Sequence, residues 1–157
     1  KDLMSDIHLA IGKSSTDKQF KKRTNEIKKI YSGIDEKEDK HLTGHSLGSS
    51  IVTHSMAKSK SIRDNTKSAH AYNTGMTPAF NKELQKDLKK EDKKELKQKL
   101  MHHHVKNDPI SAALTIGTQV GKVKTTKQTA ASPHSLDNHH ADKTLKDKDE
   151  PEPEPEE

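Results

Sequence analysis

The sequence predicts an α/β fold, a mostly parallel sheet with flanking helices. Three observations carry this. Short strand-like runs alternate with helical patterns along the chain. Residues Gly44-His45-Ser46-Leu47-Gly48 form a G-x-S-x-G, a spacing suited to a strand that turns sharply into a helix. A length of 157 residues, 34% charged and only 27% hydrophobic, suffices for one modest, thinly packed domain that verges on disordered composition.

The elements follow in order. Ser14, Ser15, Thr16 and Asp17 are candidate N-caps for a helix over about 16–32, with Phe20, Thr24, Ile27, Ile30 and Tyr31 on one face and Gly33 as its stop. A polar connection, 34–39, leads to a short strand at 40–43. Ile51, Val52, Ser55 and Met56 then suit a half-buried helix over 49–58. Residues 69–72 read as a strand and 73–78 as the loop at its end. Residues 81–100 predict one helix, with Leu84, Leu88, Leu96 and Leu100 on a stripe broken by Asp92. Further strands are expected at 102–106, ending at Asn107-Asp108-Pro109-Ile110, and at 120–126, followed by a loop through Pro133. From Asp147 onward Pro-Glu alternation defines an extended, disordered acidic tail.

Composition excludes several classes. With no cysteine there is no disulfide, thiol catalysis or zinc–thiolate site. No run approaches transmembrane length, and residues 1–12 lack the apolar centre of a signal peptide, so the chain reads as soluble. The net charge of +5 divides into −5 over 142–157 (eight acidic, three basic) and +10 over 1–141 (26 basic, 16 acidic). Such a basic body suits contact with an anionic membrane surface. Its lysines have almost no aromatics among them, which favours a solvated surface over a nucleic-acid site.

The pentapeptide carries the chemistry. A sharp strand-to-helix turn at Ser46 exposes its Oγ and sets the Leu47 N–H at a helix N-terminus, as one donor of an oxyanion hole. The same five residues also suit a Gly-Ser turn ahead of a surface helix. A serine nucleophile needs a histidine to take its proton and a carboxylate to hold that histidine's tautomer. Ser46, Asp108 and His134 each follow an expected strand, and they occur in the order Ser, Asp, His. His139, His140 and the run His102–His104 compete for the base, and Asp137 for the acid. His102 and His104 share a strand face and could co-ligate a metal, but no third ligand stands at a recognised spacing, so neither metal nor cofactor is expected.

Residues 42–49, Leu-Thr-Gly-His-Ser-Leu-Gly-Ser, resemble the nucleophile segment of the class 3 lipases, the fungal-triacylglycerol-lipase-like branch of the α/β-hydrolases. Ala71-Tyr72-Asn73-Thr74-Gly75 is similar to the strand and loop after that family's nucleophile helix. Residues 105–110, Val-Lys-Asn-Asp-Pro-Ile, resemble its catalytic-aspartate segment, and 133–138, Pro-His-Ser-Leu-Asp-Asn, its catalytic-histidine segment. Asp2-Leu3-Met4-Ser5-Asp6 is similar to the stretch just after its oxyanion loop. The resemblance spans about 2–140. It implies an α/β-hydrolase-like domain over 1–141, incomplete at its N-terminus, with a second oxyanion donor ahead of Lys1. It also implies hydrolysis of lipid acyl esters, acylglycerol or phospholipid, by Ser46, His134 and Asp108. Ser49 departs from the family, which usually has glycine there. The other reading is a catalytically weak or inactive lipase-like module retained for interaction.

Overall fold

The computed structural model describes residues 14–139. The segment Asp2–Asp6, His140 and the acidic stretch 142–157 lie outside them. Helix α1 (Ser14–Ser32) leads to strand β1 (His41–His45), which turns at Ser46 into α2 (Leu47–Lys58). A short helix α3 (Lys60–Asn65) precedes β2 (Ser68–Tyr72). Helices α4 (Pro78–Gln85) and α5 (Lys90–Lys99) connect it to β3 (Leu100–Val105), and β4 (Lys122–Thr126) completes the sheet. All three strand pairings are parallel and the order is β1-β2-β3-β4, so the fold is α/β.

Burial follows the pleat. In β2, Ala69 and Ala71 are buried while His70 is exposed between them. Their neighbours in register are Leu42 and Gly44 on β1 and Leu100 and His102 on β3. This side meets the helices. Phe20 of α1, Val52 and Met56 of α2, Ile62 of α3, Phe80 and Leu84 of α4 and Leu96 of α5 form one core with Ala69, Ala71 and Leu100. Burying each large side chain contributes about 1.5–3 kcal/mol. The opposite side of the sheet exposes Thr43, His70, Lys122 and Lys124.

Three expectations need correction. The helix expected over 81–100 is two helices. The chain straightens at Lys89 (φ −79°, ψ 168°), whose N–H donates to the Asp92 carboxylate at 3.0 Å and starts α5. Asp92 also accepts from Arg63 Nη2 at 3.1 Å. The Arg63 guanidinium is 4% exposed and donates to Met56 O and Ala57 O at the end of α2. The residue that breaks the leucine stripe thus pairs a buried cation, and Leu100 is left to open β3. Secondly, α3 was not expected; the Ser59 hydroxyl starts it by accepting from Ile62 N–H at 3.2 Å. Thirdly, Ile30 is 63% exposed, whereas Phe20 and Thr24 are buried and Ile27 and Tyr31 pack on the core. Positions 20, 24, 27 and 31 hold one helical stripe and position 30 falls beside it. No helix among the described residues is long and apolar enough to cross a membrane.

Candidate active site

Ser46 occupies the turn between β1 and α2 with φ 57° and ψ −120°. A serine there costs about 1–3 kcal/mol of backbone strain and persists only where its surroundings hold it. Its N–H donates to Tyr72 O at 3.0 Å, and its carbonyl accepts from Ser50 N–H at 3.2 Å. The two motif glycines have unequal parts. A Cβ on Gly44 would lie 2.6–2.8 Å from the backbone of Gly48 and Ser49, whereas one on Gly48 would meet nothing within 4 Å. The close approach is therefore made at Gly44. Ser49 adds a tie: its buried hydroxyl has Gly44 O at 2.6 Å and Tyr72 O at 2.7 Å as acceptors, joining α2 to β1 and β2.

The turn aims Ser46 at a histidine. Ser46 Oγ and His134 Nε2 are 2.7 Å apart, and His134 Nδ1 and Asp108 Oδ2 are 3.0 Å apart. With the carboxylate accepting, His134 carries its proton on Nδ1 and presents Nε2 to the serine as an acceptor. Asp108 follows β3 after Asn107, which takes a left-handed conformation at φ 74°. Its carboxylate also accepts from Ile110 N–H at 3.1 Å and Ser111 Oγ–H at 2.6 Å. Burial pushes this carboxyl up, but the hydrogen bonds from His134 and Ser111 outweigh it and leave the group below its ordinary value. Leu47, the first residue of α2, has its N–H at the positive end of the helix.

Two residues that sequence reasoning left without a role secure the His134 loop. His45 lies against His134, the rings tilted by 37° with 4.8 Å between centroids, and donates from Nε2 to the His134 carbonyl at 2.8 Å. Burial lowers the pKa of His45, favouring the neutral ring. Asn138 accepts from Thr129 and Ala130 N–H groups and reaches the carbonyls of Ser132, Pro133 and Ser135 with its amide. The only sequence signal for either was its place inside a quoted motif.

The competing residues lie elsewhere. His139 Nε2 bonds Asn73 Oδ1 at 2.7 Å, and its ring meets the edges of Tyr72 and His103. Asp137 is exposed in the 3-10 turn Leu136–Asn138. His103 stacks on Tyr72 and shares a 2.9 Å hydrogen bond with His70 on the outer side of the sheet. His102 and His104 do share the inner side, but each has other partners, Thr74 and Val120 for the first and Ser111 for the second. Among the described residues no three His, Asp or Glu side chains converge as a metal site. A groove of about 400 Å³ between α4 and the 112–119 turn includes Gln85 and Ile116 but no member of the Ser46–His134–Asp108 chain.

Buried His102 has a consequence for stability. Desolvation lowers its pKa to about 4, against the opposing hydrogen bond to Val120 O. The unfolded chain protonates this ring near 6.5, so between pH 6.5 and 4 it binds more protons than the fold does. Stability is therefore full above pH 6.5 and is lost as pH falls towards 4, by about 3 kcal/mol from this group. Urea unfolding at pH 7 and pH 4.5 measures the loss, and His102→Asn is expected to be weaker at pH 7 but flatter across the range.

Comparison with protein-family models, with curated proteins and with solved structures finds no match. The functional reading therefore rests on the chain's own residues and geometry.

Proposed function

We propose that the chain is a serine hydrolase that cleaves carboxylic esters through an acyl-enzyme on Ser46. The observation that carries this is the unbroken line from Ser46 Oγ through both nitrogens of His134 to Asp108 Oδ2, at 2.7 and 3.0 Å, starting from a strained strand-to-helix turn. In this mechanism Ser46 attacks the acyl carbonyl while His134 Nε2 takes its proton. Asp108 steadies the resulting imidazolium, and the Leu47 N–H donates to the oxyanion. His134 then returns the proton to the leaving alcohol, and water activated by His134 releases the acid. Lipid acyl esters are the proposed substrates on the strength of the lipase-like segments around Ser46, Asp108 and His134.

A second reading, an interaction module of the same fold, is favoured by the outer side of the sheet. Parallel sheets are ordinarily covered on both faces, yet this side exposes Thr43, His70, Lys122 and Lys124. Labelling with a fluorophosphonate probe separates the two. The enzyme reading expects labelling of the folded chain that vanishes in Ser46→Ala and after heat denaturation. A folded chain that takes no label overturns that reading and leaves the module.

A further inference from the structure

Behind Asp108 the hydrogen bonds continue into the core. Ser111 Oγ lies 2.6 Å from Asp108 Oδ2, and His104 Nδ1 lies 2.6 Å from the same Ser111 oxygen. All three side chains are buried, with Ser111 at 0%, Asp108 at 1% and His104 at 4% exposure. A hydroxyl owns one proton, and an ionised carboxylate has none to donate. Ser111 therefore donates to Asp108, and His104 must donate to Ser111. This places a proton on His104 Nδ1, on a ring that burial favours as neutral, and it orients every proton along five groups: His104 to Ser111 to Asp108 from one end, Ser46 to His134 to Asp108 from the other.

We propose that His104 is a positioning residue for the Ser46 centre, acting through Ser111 to hold the Asp108 carboxylate in line with His134 and to moderate its charge. The proposal rests on the hydrolase reading for its role in turnover, but its physical content does not need turnover. Donors in series polarise one another, each strengthening the next by roughly 10–30%. The Ser111 hydrogen bond draws charge from Oδ2, so it weakens the hold of Asp108 on the His134 proton. Removing it leaves a carboxylate that accepts the His134 Nδ1–H more strongly but is free to turn out of line with the ring. The titratable groups near this line are His45, against His134, and His104 and His139, both of which feel Asp108.

Long-range ¹H–¹⁵N NMR of the imidazoles in the full chain reads this directly. The wild type should show His104 as the Nδ1–H tautomer. Ser111→Ala should move the His134 Nδ1–H resonance downfield, because Oδ2 relieved of one donor accepts more strongly from the other, and His104→Phe should move it less. His104→Asn, whose amide can place an N–H near the position of Nδ1–H, should restore the wild-type value. In parallel, fluorophosphonate labelling should slow about tenfold in His104→Phe and recover in His104→Asn. An Nε2–H tautomer of His104 overturns the proposal, as does an unmoved His134 Nδ1–H resonance in folded Ser111→Ala and His104→Phe. A wild type that shows the expected His104 tautomer, with variants that show the expected resonance shifts, yet takes no label sinks the hydrolase reading alone.

Discussion

On the proposed hydrolase mechanism, Asp108→Asn is expected to slow fluorophosphonate labelling and ester hydrolysis by about 10⁴ while leaving the fold intact. The substitution is nearly isosteric: with its carbonyl oxygen at Oδ1 it still accepts from Ile110 N–H at 3.1 Å, and the amide nitrogen replaces Oδ2, the atom that accepts from Ser111 at 2.6 Å, so Ser111 turns to accept from the amide. The amide nitrogen then faces His134 Nδ1, 3.0 Å away, as a donor. That Nδ1 must become the acceptor, so the imidazole proton moves to Nε2 and points at Ser46 Oγ. A ring protonated there cannot take the serine proton. The lost carboxylate also leaves the imidazolium without its counter-charge. A factor of 10⁴ corresponds to about 5.5 kcal/mol of lost transition-state stabilisation. The check is the labelling rate at pH 7.5, with circular dichroism and thermal unfolding unchanged from the wild type.

The two motif glycines should separate just as sharply. In Gly44→Ala the new methyl meets Gly48 C at 2.6 Å, Gly48 O at 2.7 Å and Ser49 N at 2.8 Å. None is the flexible end of a side chain, so β1 and α2 must part. The cost is about 3 kcal/mol, the upper part of the usual overpacking range. The tie from Ser49 to Gly44 O and the backbone of Ser46 shift with it, and labelling is expected to disappear. In Gly48→Ala the methyl has no neighbour within 4 Å, and alanine is the better helix former by about 1 kcal/mol. Urea unfolding should show the first variant destabilised and the second equal to the wild type or more stable. Equal destabilisation by both would mean that the two glycines are needed for something other than this contact.

Local rules reach a good part of this molecule because some of its constraints are local. Gly44 and Ser46 are legible in a pentapeptide since the strained turn and the close backbone approach involve only residues 44–49. The alternation in β2 is legible because a strand buried on one side writes its pleat into every second residue. Other features depend on partners far along the chain. Asp92 reads as a flaw in a leucine stripe until Arg63 of α3 is set against it: one carboxylate pairs that buried cation and accepts from Lys89 N–H where the second of the two helices begins. Ser49 reads as a departure from a family pattern until its hydroxyl is seen to join two strands.

The histidines show the division most clearly. Residue order and short motifs nominate Ser46, Asp108 and a histidine after Pro133, because backbone chemistry at strand ends and turns is written into neighbouring residues. They leave His134, His139 and the 102–104 run as competitors, since an imidazole has the same chemistry at each position. Packing sorts them. Asn138 and His45 hold His134 within 2.7 Å of a serine 88 residues away, Asn73 takes His139 at 2.7 Å, and Ser111 takes His104 at 2.6 Å. Each assignment is a matter of distance between segments remote in sequence, which exists only once the chain has closed around a common core.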